Sequence, residues 1–247
     1  MLRRLALASA FVVLAGCGAH TLPEIHSESE RLATARRLYA DNDIADAIEL
    51  LKAYTSSSSG AADVDEAIYL LGQCYLKNRD WTLAAGEFEH VVRDYPESDS
   101  SASASFRLGE AYYGQSRQED FDQEYTLKAL DQWHTYRRSF EGHWLNAEAD
   151  RRMLQARTRL ANKLTDNGTL YLKLRLYEPA RFYFRQVLQD YGDTSAAPLA
   201  EIGMAVSDAH QGKRQEAIAA LRDIEARYKG KPAAREAAAA RRHLPKH

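Results

Sequence analysis

Residues 65–98 read DEAIYLLGQCYLKNRDWTLAAGEFEHVVRDYPES and organise the rest of the chain. Apolar residues recur at helical spacing on both sides of residues 78–80 (Asn-Arg-Asp), a triplet typical of a tight turn. The pattern predicts two short helices, the second of which ends before Pro96 because proline has no N–H and clashes with the preceding turn. Gly72 and Ala84 have almost no side chain, so we expect the two backbones to approach closely there.

The same stretch follows the pattern of a tetratricopeptide repeat, a helix pair of 34 residues. Ile68 stands where the pattern usually has Trp. Large residues are predicted to fill the space around the helix crossing, because close packing leaves no void there. The matching positions are Ile68, Leu71, Gly72, Tyr75, Ala84, Phe88 and Pro96.

Similar units precede and follow this stretch. A degenerate terminal repeat is predicted at 28–56, before a flexible serine loop at 56–60. A third repeat opens at Gly109, but Ala129 follows that glycine by twenty residues, whereas Ala84 follows Gly72 by twelve. The eight additional residues, around 115–123, are predicted to form a loop of the kind that binds partners on a rigid scaffold.

The second half of the chain predicts a long helix and a rear set of repeats. Residues 144–173 keep helical spacing and give a helix of up to ~30 residues, about 45 Å long. The rear repeats are predicted to begin at Asn167 and Gly168, and residues 187–194 repeat the corner of residues 91–98. The basic, alanine-rich end of the chain is predicted to be a fraying helix.

These observations predict an all-α fold, a right-handed superhelix of about five tetratricopeptide-type helix pairs with one long linking helix. The predicted divisions are a signal peptide at 1–16, a lipidated tether at 17–29, front repeats at 30–143, the linking helix and rear repeats at 144–230, and a basic tail at 231–247.

The amino terminus is typical of a bacterial lipoprotein signal. Two arginines precede an apolar run at 5–16, which is too short to span a bilayer comfortably. The run ends in Leu-Ala-Gly-Cys, which resembles a lipobox, and implies that Cys17 carries an N-acyl diacylglycerol group, palmitate among its acyl chains. Gly18 follows where Asp would retain the protein in the inner membrane, so the anchor is predicted to lie in the outer membrane. An unmodified Cys17 beside an ordinary cleavage site is the alternative.

Composition and spacing indicate a protein that is not an enzyme. The net charge of −2 does not suggest nucleic-acid binding. The eight histidines form no His-Glu-x-x-His motif, Cys74 is the one cysteine besides Cys17, and no phosphate-binding glycine loop is present. We therefore predict no cofactor or metal.

The predicted function is therefore to bind a partner on a shaped surface, since stacked first helices line a concave groove. Helical phase places aromatic and polar residues of three repeats on that groove, where they are predicted to bind an extended peptide through rings and a charge-assisted bond to backbone or terminal carboxylate. An ordinary solvated surface is the alternative. The predicted groove residues are Arg36, Tyr39, Tyr69, Gln73, Lys77, Phe106, Glu110 and Tyr113.

A lipobox followed by about five such repeats resembles the BamD family of outer-membrane assembly lipoproteins. The markers are the corner at 94–98, its echo at 190–194, residues 122–129 of the third repeat and the linking helix. The resemblance implies a lipid-anchored protein on the periplasmic face of the outer membrane. Its implied partners are the barrel-type insertase, held by the rear repeats, and unfolded outer-membrane proteins, whose C-terminal strand engages the front repeats.

The chain departs from this family at two corners, since residues 141–143 and Gly192 stand where the family has proline. A different periplasmic repeat lipoprotein, such as a secretin pilot protein or a cell-wall enzyme adaptor, therefore stays open.

Overall fold

The computed structural model describes residues 25–58, 60–116 and 121–245, and these ranges contain eleven helices and no strand. The predicted signal peptide, Cys17 and residues 117–120 of the predicted insertion lie outside the described residues. The helices are α1 (Glu28–Ala40), α2 (Ile44–Ser57), α3 (Val64–Asn78), α4 (Trp81–Asp94), α5 (Ser101–Gln115), α6 (Glu124–Ser139), α7 (Asn146–Lys173), α8 (Tyr177–Asp190), α9 (Ala197–His210), α10 (Arg214–Arg227) and α11 (Pro232–Arg242).

The helices stack as successive pairs. Each helix packs on the next one along the chain, and the first helices of neighbouring pairs also contact, α1 with α3, α3 with α5 and α7 with α9. Successive pairs stack in a similar way, as in a superhelix whose first helices form one row on its inner side. The predicted all-α superhelix of helix pairs is confirmed.

Three helix pairs each contain the same kind of contact, between a glycine and an aromatic ring. A Cβ added to the glycine of the first helix would lie within 2.7 Å of a ring of the second helix, which leaves no room for it. The ring follows the glycine by sixteen residues in two pairs and by twenty-four in the third, so the eight-residue insertion lies inside an otherwise regular repeat. The contacts are Gly72–Phe88, Gly109–Trp133 and Gly168–Phe184.

Four of the turns between paired helices each contain one left-handed residue. Its φ is +67° at Asn42, +65° at Arg79, +60° at Arg175 and +88° at Gly212. A left-handed residue ends the first helix and reverses the chain within three residues. The tight turn predicted at 78–80 is confirmed.

The corners between pairs also repeat. In each corner the backbone carbonyl of an aromatic residue accepts a hydrogen bond from the N–H of the residue three positions later. The bonds run from Ser98 to Tyr95 at 3.0 Å, from Thr194 to Tyr191 at 3.0 Å, and from His143 to Phe140 at 3.2 Å. The predicted echo of the first corner at 190–194 is confirmed. Proline is therefore not needed for this corner, since only the first of the three contains it.

The linking helix α7 is confirmed and has 28 residues, about 42 Å. Its first half packs through Ala149 and Ala156 against the core of α5 and α6, and its second half packs through Ala161 against α8. Asn167 and Gly168 do not interrupt it, and Gly168 lies inside the helix, where the absence of a side chain makes room for the Phe184 ring. The end of α7 therefore serves as the first helix of the fourth pair.

Two local predictions are wrong. Ser57 is the last residue of α2 rather than part of a flexible loop, and its hydroxyl donates to Glu28 at 3.0 Å. The basic tail does not fray, because α11 packs on α9 and α10, with Ala237 fully buried and Arg241 Nε donating to Glu225 at 2.6 Å.

Candidate functional site

The first helices of the front pairs line a concave surface that carries two clefts. The larger, about 600 Å³, opens between α1, α3 and the start of α5, and we call it the front cleft. Four of the predicted groove residues line it, namely Arg36, Tyr39, Tyr69 and Gln73. The remaining lining residues are Ala62, Asp63, Asp65, Glu66, Leu70, Asp99, Ser100 and Ser103.

The Arg36 side chain already has a carboxylate partner. Its Nε and Nη2 donate to the two oxygens of Glu66, at 2.9 and 2.7 Å. The two side chains are 45% and 47% exposed, so this pair contributes at most about 1 kcal/mol to stability. A ligand carboxylate that binds Arg36 would have to share the guanidinium group with Glu66.

Gln73 and Lys77 connect α3 to α1 through the same tyrosine. The Tyr39 hydroxyl donates to Gln73 Oε1 at 2.7 Å, and Lys77 Nζ lies 4.1 Å from the centroid of the Tyr39 ring. Burial raises the pKa of Tyr39, so its hydroxyl stays protonated and donates at neutral pH. Lys77 itself lines a separate depression beside the α1–α2 turn, outside the front cleft.

The front cleft is acidic. Its lining includes one arginine and four acidic residues, which gives a net charge of −3. A cleft of one sign concentrates ligands of the opposite sign and repels anions. This charge balance favours a cationic or neutral segment in the front cleft over the free carboxylate that was predicted to bind there. The acidic residues are Asp63, Asp65, Glu66 and Asp99.

The second cleft lies farther along the same surface, where α3, α5 and α7 meet, and we call it the middle cleft. It measures about 300 Å³ and contains two more of the predicted residues, Glu110 and Tyr113. Glu110 accepts a hydrogen bond from Arg107 Nη1 and lies 3.0 Å from Arg152 Nη2, so one carboxylate joins two guanidinium groups. The lining residues are Leu76, Trp81, Arg107, Glu110, Tyr113, Gly114, Trp133 and Arg152.

Aromatic rings form the other wall of the middle cleft. The Trp81 ring packs so closely on Gly114 that a Cβ there would clash with it. Tyr113 and Trp133 are tilted against each other with centroids 5.8 Å apart, and the Arg159 guanidinium lies 4.9 Å from the Tyr113 ring. The middle cleft therefore combines cations with aromatic surface.

Phe106 corrects one site prediction. It was predicted to present a ring to the groove, but it is fully buried and packs on Tyr136, with centroids 5.7 Å apart. The Phe106 side chain lies in the core cluster that α5 shares with α6 and α7. Arg107, rather than Phe106, lines the concave surface.

The ends of the predicted insertion are attached to the linking helix. Arg159 Nη1 donates to Ser116 Oγ, and Lys163 Nζ donates to the carbonyl oxygen of Phe121 at 2.5 Å. These contacts position both described ends of the insertion over α7, next to the middle cleft.

Sequence reasoning missed Arg107 and Arg152. Each forms a local ion pair that spacing could have revealed, Arg107 with Glu110 at i,i+3 and Arg152 with Glu148 at i,i+4. Both arginines contact Glu110 although they lie on two different helices, and the spacing of residues within one helix cannot predict such a contact.

The described ranges contain no group of three or more His, Cys, Asp or Glu side chains able to hold a metal ion. In those same ranges no helix has the length and apolar character needed to cross a bilayer.

Comparisons with known proteins agree with this architecture. Residues 73–217 match the family YfiO, described as outer membrane lipoprotein, and residues 32–99 match a tetratricopeptide repeat family. Comparison with curated proteins gives no sequence match.

Solved structures that match this chain include the following two proteins. A thermophilic tetratricopeptide repeat protein of Thermus thermophilus is 20% identical with a TM-score of 0.38, over 87% of this chain and 98% of that one. PilF of Pseudomonas aeruginosa is 16% identical with a TM-score of 0.37, over 86% of this chain and 82% of that one.

Proposed function

Because this chain belongs to the YfiO family of outer membrane lipoproteins, we propose that it is a non-enzymatic scaffold in the machinery that assembles β-barrel proteins in the outer membrane. In this role its rear repeats hold the barrel-type insertase, and its concave surface receives segments of unfolded barrel proteins. A lipid on Cys17 anchors it to the periplasmic face of the membrane.

The observation that carries this proposal is the extent of the family match. The match begins in α3 and ends in α10, so it includes the middle cleft, part of the front cleft, the linking helix and most of the rear repeats. The tetratricopeptide superhelix supports a role in binding proteins, because its repeats create an extended concave surface.

The proposed peptide-binding residues are those predicted residues that the concave surface presents. Tyrosine rings supply contact area, and the amide and charged groups supply hydrogen bonds to an extended backbone. Phe106 is excluded because it is buried. The proposed residues are Arg36, Tyr39, Tyr69, Gln73, Lys77, Glu110 and Tyr113.

Affinity purification tests the scaffold role directly. We expect the tagged full-length lipoprotein, purified from gently solubilised membranes, to bring down a barrel-type insertase with its assembly factors. Recovery of a secretin or a cell-wall enzyme instead would contradict the proposal and support the alternative adaptor role.

Site-specific photo-crosslinking tests the concave surface. A crosslinker at Gln73, in the front cleft, is expected to capture newly made barrel proteins in cells. The matched control is Leu83, which is 53% exposed on the second helix α4. Equal capture at both positions, or capture at Leu83 alone, would show that the concave surface is not the binding surface.

A further inference from the structure

Beyond the scaffold role, we propose that the turn between α7 and α8 inserts into the surface of an anionic phospholipid bilayer. We call residues 170–177, which read LYLKLRLY, the apolar turn. It lies at the edge of the superhelix where each first helix is joined to its second helix.

The side chains at this turn differ from those at the three equivalent turns. The two residues that flank its left-handed residue are Leu174 and Leu176, whereas both flanking residues are polar in the other three turns. Leu170, one helical turn before Leu174, extends the apolar surface along α7. The polar pairs of the other turns are Asp41 and Asp43, Asn78 and Asp80, and Gln211 and Lys213.

The leucines are not needed to build the turn. The N–H of Leu176 donates to the carbonyl oxygen of Tyr171 at 2.9 Å, and the N–H of Asp80 donates to the carbonyl oxygen of Tyr75 at 2.9 Å. The same backbone conformation therefore forms with apolar or with polar side chains.

The three leucines also lie outside the core. Leu170, Leu174 and Leu176 are 54%, 58% and 47% exposed, whereas Tyr171 and Leu172 between them pack against the core of α7, α8 and α9. Apolar surface in water is unfavourable in proportion to its area. A projecting group of exposed leucines therefore indicates a contact that covers them.

The charge around the apolar turn is positive. Residues 167–177 contain two cations, Lys173 and Arg175, both exposed, and no acidic residue, so their net charge is +2. The equivalent turn of the first pair, residues 41–43, has two acidic residues and no cation, a net charge of −2. Basic side chains beside a membrane are attracted to anionic head groups. An anionic bilayer therefore attracts this turn and repels the turn of the first pair.

The neighbouring turn supports the apolar turn. The Tyr177 ring stacks on the His210 ring with centroids 4.5 Å apart, and Gln211 Nε2 donates to Glu178 at 2.5 Å. These contacts attach the apolar turn to the α9–α10 turn, where Lys213 adds a further cation to the same edge.

The shape of the apolar turn favours a bilayer over a protein. Its leucines project from the end of a helix pair, so a protein partner would need a matching recess, whereas a bilayer receives a projecting apolar group anywhere on its surface. Segments that lie in the membrane interface combine leucine with lysine and arginine in this way, and tyrosine is enriched there. The lipid anchor proposed at Cys17 supplies the membrane.

Fluorescence quenching with the full-length lipoprotein tests the proposal. An environment-sensitive fluorophore is attached at Leu174→Cys, and the matched control is Asn78→Cys, at the equivalent position of the second pair. The protein is reconstituted in vesicles of phosphatidylcholine and phosphatidylglycerol that carry a nitroxide lipid. We expect quenching at position 174 alone, and weaker quenching there in vesicles of phosphatidylcholine without phosphatidylglycerol.

The background of this measurement is expected to be low. Cys74 is fully buried, and burial raises the pKa of its thiol to about 11, so it does not compete for the label. The parent protein, treated in the same way, gives the signal to be subtracted.

A second measurement avoids any effect of the fluorophore. The unmodified lipoprotein is reconstituted with a photoactivatable phosphatidylglycerol, and we expect mass spectrometry to locate crosslinked lipid on residues 170–177. Leu174→Ser with Leu176→Ser is expected to reduce this crosslinking by about 10-fold or more, because two leucines no longer enter the apolar phase. Leu83→Ser with Leu127→Ser, at leucines 53% and 52% exposed on other helices, is expected to leave it unchanged.

Equal quenching at positions 174 and 78, or none at either, would overturn the proposal. Crosslinking that persists in full in the double variant at positions 174 and 176 would also overturn it. If lipid vesicles leave position 174 accessible while solubilised membrane proteins shield it, the turn binds a protein and the proposal is wrong. None of these results depends on recovery of the insertase, so failure of membrane insertion and failure of the scaffold role are distinguishable.

Discussion

Substitution of Gly72 by Leu tests whether the glycine–ring contact holds the repeats together. A Cβ at this position would lie 2.7 Å from Cε1 of Phe88, and that ring is fully buried. Overpacking of a core costs about 1–3 kcal/mol, while the better helix propensity of Leu recovers less than about 1 kcal/mol. We expect the free energy of unfolding to fall by about 1–2 kcal/mol.

For a chain of this size that loss of stability lowers the thermal midpoint by about 2–8 °C. Circular dichroism at 222 nm measures this midpoint. Gly86→Leu is the matched control, because Gly86 is in the adjacent helix α4 and a Cβ there meets nothing within 4 Å. We expect this control to unfold at or above the midpoint of the unmodified protein.

The double variant Gly72→Leu with Phe88→Leu then identifies the cause. If the clash with the ring is responsible, the stability losses of the single variants Gly72→Leu and Phe88→Leu do not add up to that of the double variant, and the coupling energy is about 0.5–3 kcal/mol. An unchanged midpoint in Gly72→Leu, or additive losses in the double variant, would refute the proposed contact.

Three further predictions concern the turns, the charges and the anchor. Gly212→Ala is expected to lower the free energy of unfolding by about 1–2 kcal/mol in a thermal melt, because φ of +88° is costly for any residue with a Cβ. The control Gly86→Ala is expected to leave that free energy unchanged or to raise it. A hydrogen bond from Arg157 lowers the pKa of Asp193, so this pair stabilises the fold above about pH 4 and loses its effect as the pH falls through the lowered pKa. Asp193→Asn is therefore expected to lower the stability by less than about 1 kcal/mol at pH 7, since the pair is partly exposed. In thermal melts at low pH this difference in stability is expected to vanish. Cys17→Ser is expected to abolish incorporation of an alkyne fatty acid, and label retained in this variant would exclude Cys17 as the lipidated residue.

The repeat architecture could be predicted because its signals are local. Small residues at helix crossings, a turn at 78–80 and a corner that recurs at 94–98 and 190–194 each depend on a few neighbouring positions. Their spacing also revealed the insertion, since the distance from Gly109 to its partner helix exceeds the regular repeat by eight residues. Apolar spacing was enough to predict the linking helix for the same reason.

The tertiary structure alone decided how those helices are rotated and which charges meet. Phe106 and Tyr69 occupy equivalent positions three residues before a glycine, yet Phe106 is buried and Tyr69 lines a cleft, because the neighbouring helices cover α5 and α3 differently. Arg36 is paired with Glu66, thirty residues away, and Arg152 meets Glu110 across two helices. Helical spacing determines which residues share a face of one helix, but the charge of a cleft is the sum over several helices, and it exists only once they are packed together.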